Sequence, residues 1–388
     1  MRVESAAMKS EPLQKRPVAD WYVPDCIALP VSIAIIICCL AYFLRLIAEL
    51  HVGGRGARAT YAIEDIGLIG AGAHQFNYAA LNDNGEAAGG AGTVGEYHAA
   101  LDDHGHITDL GVLAHYDAGN VYGINDAGDI AGSCYKHASG YSLRPTHACL
   151  WTHDHVLHDL GALPGMRFSR ARAVNNSREV VGQSYVPGDE TAYKQSHAFL
   201  WKNGAMIDLG VLTGFDQSSA LGINDRGQVV GSLNRAHGAT RGFVWDHGKM
   251  SELTPLPGDD TSLATSINAH GSIVGISDDS HLSHDPHLVL WAGGRIRDLC
   301  SIAGARQIDP VKINDTGQIV LNASAGWGRE YTYLYNPGKG LTRLRELVGT
   351  GSGFDLYKVM GLNNKGQILA GGRFRGGPMK TFILTPIH

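Results

Sequence analysis

The sequence predicts an all-β fold: a seven-bladed β-propeller of four-stranded antiparallel blades, closed by an N-terminal strand, after one N-terminal transmembrane helix. Three observations predict it. A phrase of the form Asn-Asp-x-Gly recurs seven times, and each repeat has the pattern of four short strands. The last repeat lacks one strand, and the start of the repeat region supplies it.

The repeated phrase sets the length of the unit. Its first residues are 43, 50, 49, 44, 46 and 49 residues apart, at Asn82, Asn125, Asn175, Asn224, Asn268, Asn314 and Asn363. Such a period is typical of an array of one supersecondary unit. Asn and Asp favour turns and Gly adopts positive φ, so each phrase predicts a hairpin turn. A calcium loop is not favoured, because Ca²⁺ needs about six to eight oxygen ligands and Asn268-Ala-His-Gly271 lacks the second acid.

The fourth unit shows the strand pattern most clearly. Turn residues separate four short runs, which we expect to be strands at Ser219–Asn224, Gln228–Ser232, Gly242–Trp245 and Lys249–Leu253. Four strands in about 45 residues is the spacing of a propeller blade.

The two ends of the repeat region complement each other. The seventh unit has three expected strands, at Tyr357–Asn363, Gln367–Gly371 and Thr381–Thr385. Residues Thr60–Gly67 end in Asp-Ile-Gly, which matches the Asp-Leu-Gly ending of fourth strands elsewhere. We therefore expect this N-terminal strand to complete the last blade, which leaves no unpaired edge.

The region before the repeats predicts a membrane segment. Residues 27–44 carry no charge over 18 residues, and about 20 apolar residues span a bilayer. The positive-inside rule gives no orientation, because Lys and Arg flank the segment on both sides. Cleavage after Ala59 is the alternative to an uncleaved anchor. The expected organisation is a cytoplasmic tail at 1–26, a transmembrane signal-anchor or signal peptide at 27–48, a linker at 49–59 and the propeller at 60–388.

Charge and cysteine content limit the partners and the compartment. Residues 60–388 carry 25 Lys and Arg against 32 Asp and Glu, and this net negative charge argues against nucleic acid. Six cysteines are too few for a disulfide scaffold. Cys134 and Cys149 fall in neighbouring expected strands, where a disulfide can form, although two buried thiols are the preferred interpretation.

Repeated His and Trp residues are interpreted as scaffold. The histidines open third strands in different units, so we expect each to bond within its own unit rather than to share a metal; they are His98, His147, His197 and His287. The tryptophans are expected to pack between blades; they are Trp151, Trp201, Trp245 and Trp291.

These phrases together resemble a known family. His-Ala-Phe-Leu-Trp201, Asp-Leu-Gly210 and Ile-Asn224-Asp-x-Gly-Gln-Val-Val-Gly resemble the bacterial proteins called probable extracellular repeat, HAF family. The resemblance covers about residues 60–388. It implies an exported location and no particular activity or ligand. Units one and six depart from the pattern, since His98-Ala-Ala-Leu101 lacks the Trp and Tyr333-Leu-Tyr335 replaces the phrase.

Residues that differ between units are the candidates for ligand contact. The loops between second and third strands vary most, and aromatic and Arg side chains suit binding hot spots. The candidates are Tyr141, Arg144, Asp189, Tyr193, Arg235, Arg241, Trp327 and Arg329.

One loop, residues 278–287, suggests a divalent metal, because it holds three acids and three histidines. Its candidate ligands are Asp278, His281, His284 and Asp285. No other cofactor is indicated.

No catalytic motif is present, and acids are not evident in the first strands that would line a propeller channel. The expected function is therefore non-enzymatic recognition of an envelope glycan or surface protein, outside the cytoplasm, by a protein that residues 27–48 anchor in the membrane or that is secreted. The alternatives are a carbohydrate-active hydrolase or lyase and a purely structural envelope module.

Overall fold

The computed structural model describes residues 59–67, 80–93, 96–136, 145–187, 193–235, 238, 240–281, 284–325, 330–349 and 351–387. The expected tail at 1–26, the apolar segment at 27–48 and all but the last residue of the linker lie outside these ranges. Within them, no helix combines the length and the apolar composition that crossing a membrane requires.

The described residues are almost entirely strands, joined by short turns. In the first half of the domain the strands are β1 (Tyr61–Asp65), β2 (Ala80–Leu81), β3 (Ala87–Thr93), β4 (Glu96–Asp103), β5 (His106–Gly111), β6 (Ala118–Ile124), β7 (Ile130–Tyr135), β8 (Thr146–Trp151), β9 (Leu157–Gly161), β10 (Phe168–Val174), β11 (Val180–Pro187), β12 (Tyr193–Lys202) and β13 (Ala205–Gly210). In the second half they are β14 (Gln217–Ile223), β15 (Val229–Asn234), β16 (Arg241–Asp246), β17 (Lys249–Leu253), β18 (Thr261–Ile267), β19 (Ile273–Asp278), β20 (His287–Ala292), β21 (Arg295–Ser301), β22 (Gln307–Ile313), β23 (Ile319–Ser324), β24 (Glu330–Asn336), β25 (Gly340–Arg343), β26 (Phe354–Leu362), β27 (Ile368–Phe374) and β28 (Met379–Pro386), with one short helix, α1 (Leu344–Leu347).

The strands pair as antiparallel groups of four in sequence order. Separate four-stranded sheets are formed by β2–β5, β6–β9, β18–β21 and β22–β25. Strands β10–β13 and β14–β17 repeat the same pattern and are joined into one larger sheet by a single parallel bridge between Ser196 and Gln217. The predicted four-stranded antiparallel units are therefore confirmed.

The remaining sheet joins the two ends of the domain. Its strand order is β1-β28-β27-β26, and Ile63 of β1 lies opposite Leu384 of β28. The prediction that the N-terminal strand completes the last unit is confirmed. The last unit begins earlier than expected, at Phe354, because its first strand pairs with β27 as far as Phe374.

Apolar side chains pack between neighbouring units. Trp151 is fully buried with Leu110 and Val112 of the preceding unit, and its Nε1 donates to the Gly111 carbonyl at 3.1 Å. Trp291 donates in the same way to Thr254, at 2.9 Å. The predicted role of these tryptophans in packing between units is confirmed.

The repeated histidines bond within their own units, as predicted. Nδ1 of His147 lies 2.9 Å from Asp159 Oδ2, and the same pairing joins His98 to Asp109, His197 to Asp208 and His287 to Asp298. Burial acts to raise the pKa of Asp159, but the hydrogen bonds from His147 and from the Gly161 amide hold this pKa below its usual value. Each pair therefore fixes the Asp-Leu ending of a fourth strand against the third strand.

Cys134 of β7 and Cys149 of β8 form a disulfide, with their Cα atoms 6.1 Å apart. The preferred interpretation as two free thiols is wrong. Cys134 lies opposite His147 and Cys149 opposite Gly132, so the two residues are diagonal neighbours on adjacent strands. Both are fully buried.

Loss of this disulfide is expected to lower the free energy of unfolding by about 3 kcal/mol, the chain-entropy estimate for a loop of this size. Urea denaturation with and without reductant measures the effect, and the Cys134→Ala/Cys149→Ala double variant should not respond to reductant. A thiol count on denatured protein should give two fewer thiols before reduction than after it. Equal counts would show that the bond does not form.

Arg178 occupies a turn position that is glycine in the other units. Its φ is 59°, in the left-handed region, which costs a non-glycine residue about 1–2 kcal/mol. Its Nε and Nη2 donate to both carboxylate oxygens of Asp129, at 2.9 and 3.1 Å. The Asp129 side chain is only 2% exposed. Burial acts to raise its pKa, but the hydrogen bonds from Arg178 and Asn125 lower it below the usual value.

Arg178→Gly should relieve the backbone strain but leave the Asp129 carboxylate poorly paired. We expect a net loss of stability in the native background, because an unsatisfied buried charge costs about 1–3 kcal/mol or more. In an Asp129→Asn background the same change should stabilise the protein.

The stabilisation by the native Arg178–Asp129 pair should also depend on pH. It is present above the unfolded pKa of Asp129 and is lost as pH falls through the lower folded pKa. Urea denaturation of the four proteins at two pH values measures this cycle; equal effects of Arg178→Gly in both backgrounds would refute the coupling.

Candidate functional site

Seven asparagine side chains form a closed ring of hydrogen bonds. Nδ2 of each donates to the backbone carbonyl of the asparagine in the next unit at 2.9 to 3.1 Å, and the last returns to the first; in order they are Asn82, Asn125, Asn175, Asn224, Asn268, Asn314 and Asn363. All seven are buried. The side-chain oxygen also accepts from its own turn, as Asn224 Oδ1 does from the amides of Arg226 and Gln228. The predicted turns are confirmed, but the sequence did not reveal the ring.

A second ring lies beside the first. It is formed by the residue that comes directly after each ring asparagine. The side-chain oxygen of this residue accepts a hydrogen bond from the backbone N–H of the equivalent residue in the preceding unit, at 2.7 to 2.9 Å. The acceptors are Asp83, Asp126, Asn176, Asp225, Asp315 and Asn364. In the fifth unit this position is Ala269, which has no oxygen to offer. The second ring is therefore interrupted between Asp225 and Ala269.

These residues line one cavity of 120 Å³. Four of its lining side chains are the carboxylates of Asp83, Asp126, Asp225 and Asp315. The sequence-based search for channel acids considered the first strands alone, whereas the acids of this cavity come from the turns. Each was visible in the repeated phrase, where it was interpreted only as a turn residue.

A second cavity of 130 Å³ continues along the inner strands. In units two to seven, the first strand has a β-bulge three residues before its ring asparagine. Bulges redirect side chains, and the bulged residues line this cavity: Tyr122, Arg172, Leu221, Thr265, Val311 and Met360. The Arg172 guanidinium lies 4.6 Å from the Tyr122 ring centroid.

Lys312 is the exceptional residue of this channel. It occupies a position that is Gly, Ala or Ser in the other units described, and it lines both cavities. Its side chain is accessible to water within the channel, while protein surrounds the channel itself. Because the surrounding protein displaces most of the bulk water, desolvation lowers the pKa of Lys312 below its ordinary value. The negative charges of Asp83, Asp126 and the other ring acids act in the opposite direction. Lys312 was not among the residues predicted from the sequence.

The opposite ends of the strands carry the loops that differ between units. Five of the predicted contact residues lie outside the described residues, namely Tyr141, Arg144, Asp189, Trp327 and Arg329. Tyr193 is the first residue of β12 and lies opposite Pro187. Arg235 is exposed, with its guanidinium 4.5 Å from the Phe215 ring centroid. Arg241 pairs with Glu252 at 2.9 Å, within its own unit.

A cleft of 260 Å³ opens in the unit that joins the chain ends. Phe354 and Phe374 line it, with ring centroids 4.8 Å apart, and Phe374 is 41% exposed. The ion pair between Lys380 and Asp65 also lines the cleft. Exposed aromatic rings beside charged groups are typical of ligand sites. This cleft was not predicted from the sequence. Its signal there is a pair of aromatic residues, Phe354 at the start of β26 and Phe374 at the end of β27, which lie opposite each other.

The predicted metal loop separates into two groups. His284 Nε2 lies 3.0 Å from Asp259 Oδ1, and Asp285 accepts the Gly304 amide at 3.0 Å. The hydrogen bond to the Asp285 carbonyl and the nearby acids raise the pKa of His284. Burial raises the pKa of Asp278.

His281 lies elsewhere, beside two carboxylates. One ligand atom from each of Asp260, Asp279 and His281 lies within 4.8 Å of the others. Asp279 was part of the loop noted in the sequence, whereas Asp260 comes from a different loop.

No known protein-family model matches the chain, and no curated protein matches it. Solved structures do resemble it. The β-propeller domain of the Trilobed protease from Pyrococcus furiosus, described as having an open velcro topology, is 10% identical with a TM-score of 0.51, covering 80% of this chain and 94% of that one. Oligogalacturonate lyase in complex with manganese is 12% identical with a TM-score of 0.51, covering 87% and 98%. Puromycin hydrolase is 12% identical with a TM-score of 0.54, covering 80% of this chain and 52% of that one.

The chain spans about half the length of puromycin hydrolase. At these identities the similarity concerns the fold and not the activity. Together with the four-stranded antiparallel sheets, it establishes that this chain has a β-propeller fold.

Proposed function

We propose that this protein is a seven-bladed, non-enzymatic β-propeller that recognises a glycan or a surface protein at the cell envelope. The observation that carries the proposal is a contrast between the two ends of the strands. At one end, the repeated residues are held in the two hydrogen-bonded rings. At the other end, the loops and clefts differ from unit to unit. Repeated contacts hold an array together, while the variable positions are available for recognition.

Seven blades are the count that the ring of asparagines favours. Each asparagine belongs to one four-stranded group, and the hydrogen bond from Asn363 to the Asn82 carbonyl joins the last group to the first.

An exported location is part of the proposal. The apolar segment at residues 27–44 supports either a membrane anchor or a secretion signal. The disulfide between Cys134 and Cys149 also supports it, since disulfides persist mainly in oxidising compartments.

The aromatic cleft is the described region best suited to recognition. Phe374 presents an exposed ring, and the Arg375 guanidinium lies 5.0 Å from its centroid. Such a combination can stack against a sugar ring or an aromatic side chain, and Lys380 and Asp65 offer polar contacts beside it.

Binding of the purified full-length protein to a panel of envelope polysaccharides and isolated surface proteins tests the proposal. We expect one saturable ligand, whose affinity falls by about tenfold or more on Phe374→Ala, since interface hot spots contribute about 2 kcal/mol or more. Ile207→Ala is the matched control, because Ile207 is similarly exposed, at 43%, but lies outside the cleft. Equal loss in both variants would exclude the cleft. Binding to nothing on the panel, by folded protein, would overturn the recognition role.

A carbohydrate-active enzyme is the second candidate, favoured by the four aspartates that line the channel cavity. Turnover of the same polysaccharides measures it. Asp126→Asn and Asp315→Asn keep a side-chain oxygen that can accept the backbone N–H of the second ring, as the Oδ1 atoms of Asn176 and Asn364 already do. Polysaccharide cleavage that either change abolishes would establish the enzyme and displace the binding proposal.

A further inference from the structure

We propose that Asp260, Asp279 and His281 bind a divalent metal ion of the first transition series. The inference rests on the described geometry alone and does not depend on the proposed recognition role.

The three side chains converge from two loops. Asp260 lies in the connection from β17 to β18, whereas Asp279 and His281 follow β19. One carboxylate oxygen from each acid and one imidazole nitrogen lie within 4.8 Å of one another. Three such atoms around one ion at metal–ligand distances of about 2.0–2.2 Å would lie at most about 4.4 Å apart. The set is therefore near the spacing that a shared ion needs.

The two loops are already joined to each other. The Ser280 amide donates to Asp260 Oδ1 at 2.8 Å, and the Ser280 hydroxyl donates to Asp260 Oδ2 at 2.6 Å. The His281 amide donates to Asp279 Oδ1 at 3.0 Å. Asp279 is buried, with 9% of its surface exposed. The Ser280 bonds hold Asp260 against the other loop, and the His281 bond orders that loop itself, which lowers the ordering cost of binding an ion.

The surroundings provide an excess of negative charge. Asp259 lies next to Asp260, accepts from the Ser277 hydroxyl at 2.5 Å and pairs with His284. Asp278 lies next to Asp279. Four acids, from the connection before β18 and from the end of β19 and the residue after it, therefore lie close together, and a bound cation would offset their mutual repulsion.

The donor set indicates the class of metal. Two carboxylates and one imidazole suit Mn²⁺, Fe²⁺ or Zn²⁺, with water in the remaining positions. Calcium is less suitable, because it prefers about six to eight oxygen ligands. The ligand set differs from the one that the sequence suggested, since His284 and Asp285 have other partners.

Equilibrium dialysis of chelator-treated full-length protein against Mn²⁺ and Zn²⁺, with elemental analysis, tests the site. We expect one equivalent of one of these ions in the native protein. Asp260→Asn and His281→Gln should each weaken binding by about tenfold or more, as loss of metal-site partners does. Asp285→Asn and His270→Gln are matched controls and should bind as the native protein does.

Circular dichroism and thermal melting of each variant without metal separate lost binding from lost folding. His281 is exposed, so His281→Gln should melt like the native protein when metal is absent. Absence of bound metal in the native protein, or unchanged binding by both ligand variants, would overturn the proposal. Neither result depends on whether a glycan or protein ligand is found.

Discussion

Replacing Asn175 by Asp is expected to destabilise the protein by about 2–6 kcal/mol at neutral pH. The Asn175 amide donates to the Asn224 carbonyl at 3.1 Å and to Glu179 Oε2 at 2.7 Å. A carboxylate of the same shape donates neither bond, so two buried acceptors lose their partner at a cost of about 1–3 kcal/mol each. Asn175 and Glu179 are 4% and 6% exposed, so water would screen the repulsion between two carboxylates only weakly, while Lys202, which pairs with Glu179, would offset part of it.

The loss should depend on pH. Burial and the neighbouring Glu179 both raise the pKa of the introduced carboxyl in the folded state. A group with a raised folded pKa favours the folded state at low pH, and this contribution is lost as pH rises through that pKa. Asn175→Asp should therefore be least damaging in acid, where the protonated carboxyl can donate again.

Urea denaturation at pH 7.5 and pH 5 measures both effects. Asn203→Asp is the matched control, because Asn203 lies exposed in the turn between β12 and β13. The control should change stability by less than about 0.5 kcal/mol, as surface substitutions usually do. A small loss for Asn175→Asp that is equal at the two pH values would mean that the ring contributes little to stability.

The ring also shows where sequence reasoning reached its limit. The turn at each asparagine depends on residues within four positions, so the phrase predicts it directly. The ring bond from Asn363 to Asn82 joins residues 281 positions apart, and only the closed arrangement brings them together. Pairing of β1 with β28 was predictable, because the missing strand and its match both occur in the sequence.

The candidate sites depend on proximity between separate loops. Asp260 joins His281 only because the connection before β18 lies beside the one after β19. The four ring acids were attributed to their own turns, since a local turn and a channel lining use the same residue type. The Lys312 position does carry a sequence signal, a long charged residue where other units have Gly, Ala or Ser. That signal becomes interpretable once the inner strands are aligned at their bulges.

Gly231→Ala is expected to lower the free energy of unfolding by about 3 kcal/mol or more, which is at or above the upper end of the losses usual for an overpacked core. A methyl group at this position would lie 1.9 Å from the Ser219 carbonyl oxygen and 2.9 Å from both Ala220 Cα and Phe243 Cε1. Because the first contact is backbone, no side-chain rotation relieves it. The first strand would have to move away from the second beside the bulge at Leu221.

Gly248→Ala is the matched control in the same unit. Gly248 has a φ of 89°, and an added Cβ would meet nothing within 4 Å. We therefore expect only backbone strain, about 1–2 kcal/mol. Thermal and urea unfolding of both variants measure the difference. Equal losses would show that the inner strands can separate and that the close approach is not required.

The same contact recurs in other units, which makes the prediction general. A Cβ at Gly132, Gly182 or Gly275 would lie 1.9 to 2.0 Å from a first-strand carbonyl oxygen. In these four units the glycine is therefore required by strand proximity and not by a turn. The seventh unit has Ala370 at the equivalent position, opposite Val359. In the sixth unit the equivalent residue is Leu321, opposite Pro310. Leu321→Gly should therefore behave differently, leaving a cavity and costing about 2–5 kcal/mol, as removal of a buried leucine side chain does.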